Sequence, residues 1–494
     1  MKKYWSISIL LLILSGFIAV LSITFADPDL WGHLRFGLDT LESRSIDRLD
    51  PYSYLTQGQA WINHEWLAES LFAVSWLAWG ASGLILLKIA VGLLACGLLL
   101  KAMLAQGLTT VRAGILTLIS LFLLLPFTGP VRPHIFTILG FTLTLLIVVK
   151  AEQSSYRWLW LAPLLFAIWS NLHGGFLAGL GVFGLWVGLH LAWNRRAWKQ
   201  VIPPALASLV ATFLNPYGPV LLVFLSRTAT VTRPEISDWK PLLIRSYQGG
   251  IYLLTLLVAG FGLIYSRRER NPVLVILFGI LAILPLTAVR HLQLFVPAML
   301  VLASEHIGDA WDRMASSRRT SLDPPGWLII LPVIAVGMLL AVTVKNLRGI
   351  RWPDHQTSYP VGTTALLKQS GVSANLAVDF NWGEYVIWHL GPKVKVSMDG
   401  RRETVYSNRI YEEHSHFLDG KGDWDALLTG HGTDLALVSK IRATYNLMLL
   451  KPDWVVIYED QASALFAPLN SPLSALLKAS AATFTPPVED GYFP

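Results

Sequence analysis

Long apolar stretches in the first 345 residues constrain this chain more than any other sequence feature. A membrane-spanning helix needs about 20 mostly apolar residues, and about eleven stretches approach that length. They lie near residues 5–25, 81–104, 111–128, 134–150, 157–170, 174–193, 200–214, 250–265, 272–288, 291–304 and 327–344. The stretches around Trp158 and Val201 are short, and Trp66 to Trp79 is one more candidate. The pattern therefore predicts an α-helical polytopic membrane protein.

The charged residues divide the chain into two parts. Only 14% of the 494 residues are charged, whereas soluble domains have about a quarter. Residues 1–345 contain 26 Lys+Arg against 16 Asp+Glu, and residues 346–494 contain 13 against 16. The net charge of +7 thus comes from membrane loops and does not indicate a nucleic-acid partner. We expect a transmembrane module over 1–345 and a water-soluble domain over 346–494.

The basic residues also predict an orientation. Cytoplasmic loops collect Lys and Arg, and an N-terminus inside the cell puts most of the module's bases in short inner loops. An odd number of spans then places the C-terminal domain outside. A cleaved signal peptide ending near Ala26 is the alternative for the first span, although that apolar run is longer than usual. The single cysteine, Cys96, excludes a disulfide framework.

Most polar residues near the spans fall at the predicted outer surface. Polar groups at membrane depth are costly and tend to mark function. The candidates are Asp27, Asp29, His33, His64 and Glu65 in the first loop, and Arg132, His134, Asn171, His173, Tyr217, Arg290 and His291 in later loops. Their convergence predicts a functional site at this surface. Asn171 and its neighbours also fit a plain turn.

The first loop has the composition of an acid/base site. Pro28 suits the first turn of a helix, and a helix that begins there places Asp29 and His33 on one face. A carboxylate beside apolar membrane and aromatic rings has a raised pKa, which suits a general base. We therefore expect Asp29 to act in catalysis with Asp27 and His33 beside it. Helix capping explains Asp27 equally well.

His64 and Glu65 follow later in the same loop. Glu65 fits a catalytic role or a simple interaction with a helix dipole. Together with Asp29 and His33, these two residues are compatible with a divalent cation held by oxygen and imidazole ligands. Their spacing defines no metal motif, so the cation stays an alternative.

Basic side chains elsewhere suit an anionic ligand. The pairs Arg132 with His134 and Arg290 with His291 lie where spans meet the outer surface. Since the guanidinium fork matches phosphate oxygens, they are predicted to hold a lipid phosphate, with snorkelling as the alternative. Lys88, inside a span, either snorkels or joins the same site.

The C-terminal residues alternate between strand and helix patterns. Buried strands are predicted at Asn375–Phe380, Val394–Met398, Asp434–Val438 and Trp454–Tyr458, with helices at Gly383–Leu390, Val405–Phe417 and Trp424–Gly430. This predicts a small α/β domain. Asp399, Gly400 and Arg401 follow a strand, where a tight turn with exposed arginines is favoured over a ligand site.

Several of these motifs resemble one known superfamily. The run from Asp27 to Leu34, with Trp61, Asn63, His64 and Glu65, resembles the first outer loop of bacterial GT-C membrane glycosyltransferases. Asn171 to Phe176, Asn215 to Gly218, Asn381 to Tyr385 and Asp399 to Arg401 are similar to one branch of it. The sequence differs from relatives in Leu30, where many have a second acid, and in Gly32, where the branch often has tryptophan.

The resemblance implies a reaction. In that superfamily an acidic residue of the first outer loop, matched best by Asp29, acts on the acceptor. The donor is a sugar on a polyprenyl phosphate, and a lipid, glycan or protein accepts the sugar. Arg132, Arg290 and Lys88 would then hold the donor phosphate. The expected location is the bacterial cytoplasmic membrane, with membrane lipids as partners and protein partners through the C-terminal domain. The alternative is a non-catalytic assembly partner or lipid-binding subunit that retains the fold.

Overall fold

The chain packs as two compact units. The computed structural model describes residues 2–229, 237–315, 326–352, 359–488 and 491–494. One unit contains Met1–Thr24 and Ser75–Ile350, and the other contains Phe25–Val74 and Arg351–Pro494. Residues 25–74, which the sequence pattern assigns to the membrane module, thus pack with the C-terminal residues.

Helices, most of them apolar, build the first unit. They are α1 Lys2–Ser22, α3 Trp66–Ala105, α4 Thr110–Thr128, α5 His134–Gln153, α6 Ala162–Trp169, α7 Phe176–Trp193, α8 Trp198–Ala211, α9 Pro219–Ala229, α10 Tyr247–Tyr265, α11 Pro272–Ile283, α12 Leu292–Leu302, α13 Ser304–Ala315 and α14 Ile330–Asn346. Helix α3 begins in the second unit, and its dihedral angles break at Trp79 and Gly80, where Gly80 has φ +58°. Glycine allows this left-handed conformation without a steric penalty.

Six helices of the described residues are long and apolar enough to cross a membrane. They are Tyr4–Ser22, Trp66–Ala105, Thr110–Thr128, His134–Gln153, Phe176–Trp193 and Tyr247–Tyr265. Four shorter apolar helices are Pro219–Thr228, Pro272–Leu286, Val289–Leu302 and Ile330–Asn346. Each of the eleven predicted stretches contains helix. In the two short ones, a 3₁₀ turn at Tyr156–Leu161 precedes α6, and Pro203 and Pro204 lie inside α8, where each removes a backbone hydrogen-bond donor.

Close approach of α5, α6 and α7 depends on two glycines. A Cβ on Gly140 of α5 would lie 2.5 Å from the Trp169 ring, and one on Gly179 of α7 would lie 2.4 Å from it. The Trp169 indole, at the end of α6, is buried between these backbones. Small residues are a common means of close helix packing in membranes, where lipid provides no hydrophobic drive.

A mixed sheet forms the second unit. Its strands are β1 Ala374–Val378, β2 Val394–Val396, β3 Leu435–Ser439, β4 Trp454–Glu459 and β5 Ser463–Pro468, in the order β2-β1-β3-β5-β4. β2, β1 and β3 are parallel, whereas β5 is antiparallel to both of its neighbours. The helices are α2 Asp29–Ser43, α15 Val361–Ser370, α16 Gly383–Leu390, α17 Asn408–Asp419, α18 Ala426–Thr429, α19 Ala443–Leu450 and α20 Pro472–Ala482. The four predicted strands are confirmed. Strand β5 was not predicted, since Pro468 ends its short apolar run.

The first loop joins the edge of this sheet. The backbone of Tyr52 accepts a hydrogen bond from Val396 N at 3.1 Å, and Tyr54 N donates back to Val396 O at 3.1 Å. The loop thereby covers the outer edge of β2, which would otherwise expose unpaired backbone groups. Helix α2 packs against α16. This packing brings the polar residues at the start of α2 to those at the start of α16.

Candidate functional site

Asp29 is the first residue of α2 and remains partly exposed. Pro28 occupies the N-cap position, and its side chain makes no capping hydrogen bond. Asp27 lies one residue before the cap; it is buried, and its carbonyl accepts the 3.1 Å bond from Leu30 N. The structure therefore places the two acids at the helix start, with Asp29 the more accessible.

His33 lies one turn farther along α2. Its Nδ1 is 3.1 Å from Glu69 Oε1 and 3.9 Å from Glu65 Oε2. Burial by itself lowers the pKa of His33, but the hydrogen bond to Glu69 and the charges of Glu65, Glu69 and Asp29 outweigh it and raise the pKa to about 9. Burial raises the pKa of Glu65, against the opposing charges of His64 and His33. At neutral pH His33 is therefore an imidazolium facing two acids.

The same three residues have the geometry of a metal site. One ligand atom from each of His33, Glu65 and Glu69 lies within 4.8 Å of the others. Asn63 donates to the second oxygen of Glu69 at 2.6 Å, which orients that carboxylate. An imidazole and two carboxylates fit a transition-metal or zinc ion. Of the residues predicted for a cation, His33 and Glu65 belong to this group; Glu69 was missed, although it follows Glu65 by one helical turn.

Glu384 is a further acid that the sequence did not single out. It lies in the first turn of α16, is buried, and its Oε2 accepts a hydrogen bond from Gly32 N at 3.1 Å. Burial raises the pKa of Glu384 well above its usual value, and the charges of Asp29 and Asp399 raise it further. The sequence signal was its place within the Asn381–Tyr385 motif, where a favourable interaction with the helix dipole explains an acid equally well.

Arg401 is buried, contrary to the favoured expectation of an exposed turn. Its guanidinium binds Asp399 through two bonds of 2.9 and 2.7 Å and Asp50 Oδ1 at 2.8 Å. The rings of Phe36, Tyr52 and Trp61 surround it, with centroids at 5.2, 4.9 and 4.7 Å. Two carboxylates and three rings compensate the cost of burying this charge. The side chain ties the first loop to the segment after β2.

In the first unit, two predicted histidines come together. The His134 and His173 rings are 4.7 Å apart, and Thr137 Oγ1 lies 2.6 Å from His173 Nδ1. Gly175 N donates to the same Nδ1 at 3.0 Å, so that nitrogen is an acceptor. Arg132 lies just before α5, which begins at His134. The Arg132 and His134 pair therefore marks the start of α5, next to the turn that carries His173.

Lys88 is buried within α3. Its ammonium group donates to Ile23 O at 2.8 Å, Thr24 Oγ1 at 2.7 Å and Gly129 O at 2.9 Å. Three acceptors match the three donors of an ammonium group. Lys88 thus ties the end of α1 to the end of α4.

The remaining predicted residues lie at turns of the first unit. Asn171 Nδ2 donates to Ala167 O and Leu214 O, both at 2.8 Å. Tyr217 N donates to Asn215 Oδ1 at 2.8 Å. The guanidinium of Arg290 stacks 4.4 Å from the Trp239 ring centroid, and His291 Nδ1 is 2.9 Å from Leu284 O.

Comparison with known proteins identifies the fold. ArnT from Cupriavidus metallidurans bound to undecaprenyl phosphate is similar with a TM-score of 0.53 and 13% identity, over 95% of this chain and 99% of that one. The Archaeoglobus fulgidus oligosaccharyltransferase is similar with a TM-score of 0.57 and 11% identity, over 89% of this chain and 69% of that one. The mycobacterial arabinofuranosyltransferase AftD gives a TM-score of 0.55 and 14% identity, over 94% of this chain and 41% of that one. No protein-family model and no curated protein matches the chain.

These likenesses show a shared fold. The chain has the helical fold of these transferase structures, with helices long and apolar enough to cross a membrane and, in its C-terminal part, a five-stranded sheet. The similar structures of the archaeal oligosaccharyltransferase include a complex with an inhibitory peptide and a dolichol phosphate, and a crystal structure with zinc and sulfate.

Proposed function

We propose that this protein is a glycosyltransferase that moves a sugar from a polyprenyl-phosphate donor to an acceptor at the outer face of a bacterial cytoplasmic membrane. The observation that carries the proposal is Asp29, a partly exposed carboxylate at the start of α2, in a chain with the GT-C fold. Fold alone does not imply activity, so the argument rests on the chemistry that this loop can perform.

Asp29 is proposed as the general base. It would take the proton of the acceptor hydroxyl or amine while that atom forms a bond to the anomeric carbon. The bond from the anomeric carbon to the phosphate oxygen breaks, and its electron pair leaves with the polyprenyl phosphate. Asp27 and His33 are proposed to orient the acceptor, with His64 and Glu65 beside them.

Basic residues of the first unit are proposed to bind the donor. Arg132 and His134 at the start of α5, with Arg290 and His291, offer hydrogen-bond donors of the kind that phosphate needs. Positive charge there stabilises the phosphate that is released. Lys88 is proposed to support this site by holding α1 and α4 together, and Asn171, His173 and Tyr217 to line it.

As the alternative to an imidazolium His33 that orients the acceptor, a divalent cation is proposed for His33, Glu65 and Glu69. A bound ion would supply positive charge beside the acceptor site. Since His33 must lose its proton to become a ligand, and its pKa is about 9, cation binding would release a proton at neutral pH.

The test is a transfer assay with purified protein in lipid and a panel of polyprenyl-phosphate sugars, measuring release of the polyprenyl phosphate. Asp29→Asn is expected to lower turnover about 100-fold or more, because general-base catalysis contributes roughly that much. Glu42→Gln, at an exposed acid of the same helix, is the matched control and should be unchanged. Equal turnover in Asp29→Asn and the wild type, or no release from any donor, would favour the non-catalytic partner.

A further inference from the structure

Two carboxyl groups from distant parts of the chain meet beside Gly400. A Cβ placed on Gly400 would lie 2.6 Å from Glu384 Oε1 and 2.7 Å from Asp29 Oδ1. A Cβ on Gly32 would lie 2.2 Å from the carboxyl group of Glu384. Two glycines thus provide the space in which Glu384, from α16, approaches Asp29, at the start of α2.

Charge around Glu384 is mostly negative. Asp29, Asp399 and Asp27 disfavour its ionised form, and Arg401 alone opposes them among the charges that act on it most strongly. The Arg401 guanidinium is bound to Asp399 and Asp50. Two carboxylates this close do not both ionise readily, and the more deeply buried one retains the proton. Glu384 is that group, since Asp29 is partly exposed.

Hydrogen bonding indicates which oxygen carries the proton. Oε2 accepts the N–H of Gly32, so it acts as an acceptor. A neutral carboxyl group has one O–H donor, and because its carbonyl oxygen is the better acceptor, we place the proton on the other oxygen, Oε1. Oε1 is also the Glu384 oxygen that lies, like Asp29 Oδ1, within 3 Å of the position a Cβ on Gly400 would take.

We propose that Glu384 is a positioning residue that acts through Asp29: its Oε1 hydroxyl is directed at Asp29 Oδ1 and holds that carboxylate in one orientation. This inference rests on the proposed function, in which Asp29 is the base. During transfer Glu384 keeps its proton, and the acceptor's proton goes to Asp29. The C-terminal domain then completes the site that the first loop begins.

Two substitutions of Glu384 distinguish a positioning role from two other roles, that of a second general base and that of a residue that only fills space. Glu384→Gln keeps an acceptor for Gly32 and an N–H donor for Asp29, so we expect turnover within about threefold of wild type. Glu384→Ala removes the donor and is expected to lower kcat about 10- to 100-fold with the donor KM unchanged, because a misplaced base costs about that much. Glu412→Ala, at an exposed acid of α17, is the matched control.

A double variant tests the coupling. In the Asp29→Asn background, Glu384→Ala should cost less than about twofold, because residues that act through one group are not additive. The proposal would be overturned if Glu384→Ala lowered kcat by about 10- to 100-fold in the Asp29→Asn background as well. It would also be overturned if Glu384→Gln were as inactive as Asp29→Asn. A Glu384→Ala variant with wild-type kcat would overturn it too.

Infrared spectroscopy provides a readout that needs no activity. The wild-type spectrum at pH 7, minus that of Glu384→Gln, should contain the carbonyl band of a protonated carboxylic acid. Absence of this band overturns the proposal whatever the activity. If the band is present and no donor releases polyprenyl phosphate, the proposed function fails while the protonated Glu384 stands.

Discussion

At the residue scale, Arg401 is the clearest case of a buried charge that is compensated by ion pairs. Arg401→Ala would leave Asp399 and Asp50 buried without their cation, which costs about 3–5 kcal/mol. We expect a marked fall in the melting temperature of the detergent-solubilised protein. Arg409→Ala breaks an ion pair whose arginine is 84% exposed, and is expected to leave the melting temperature nearly unchanged because solvent screens such pairs. Equal melting temperatures for the two variants would contradict this account.

Glu384 predicts a pH dependence with a definite sign. Its pKa is raised in the folded protein, so the unfolded chain loses this proton first as pH rises above about 4.5. Folding stability therefore falls over that range, by about 1.4 kcal/mol for each unit of pKa elevation. Glutamine carries no such proton. We expect Glu384→Gln to melt at a higher temperature than wild type at pH 7 and at the same temperature at pH 4.

The check is a thermal melt of both proteins across this pH range. A wild type that melts above Glu384→Gln at pH 7 would mean that Glu384 is ionised and stabilising. Glu412→Gln, at an exposed acid, controls for general effects of charge.

At the element scale, two glycines of α7 form a matched pair. A Cβ at Gly179 would lie 2.4 Å from the Trp169 ring, whereas a Cβ at Gly181 has nothing within 4 Å. Gly179→Ala must displace a buried indole and is expected to destabilise the protein by about 1–3 kcal/mol. Gly181→Ala should change stability by less than about 0.5 kcal/mol. Thermal melts of the two variants test whether α5, α6 and α7 pack as described.

Element boundaries show where sequence patterns succeed. The helix Gly383–Leu390 has the predicted limits, and β2 lies within the predicted strand Val394–Met398. Both elements were predicted from the apolar pattern of their own residues. The helix predicted at Val405–Phe417 begins instead at Asn408. Ser407 caps it, because the Ser407 side chain accepts a hydrogen bond from Ile410 N.

At the scale of the whole molecule, the predicted orientation can be tested by labelling. In a Cys96→Ser background, Val488→Cys introduces a thiol at a position that is 95% exposed, and Arg268→Cys introduces one at the loop after α10. If the C-terminal domain lies outside, a membrane-impermeant maleimide should label residue 488 but not residue 268 in intact cells. Both should react after permeabilisation. Labelling of residue 268 alone in intact cells would reverse the orientation.

The sequence by itself determined what depends on local pattern. Apolar runs predicted the helices of the first unit, and alternating patterns predicted four strands of the second. The i, i+4 relation of Asp29 and His33 follows from a helix that begins after Pro28. The sequence motifs also predicted the fold of GT-C glycosyltransferases, and the solved structures that are similar to this chain have the same fold.

Only the tertiary structure decided which distant residues meet. Glu384 lies 352 positions from Gly32, which donates to it, and Arg401 lies 351 positions from Asp50. The burial of Glu384 and Arg401 cannot be predicted from residue type, because glutamate and arginine usually lie exposed unless a partner compensates their charge. That compensation comes from groups brought together by packing of residues 25–74 with the C-terminal residues. Local pattern therefore predicts elements, whereas the protonation and orientation of the acids depend on long-range contacts.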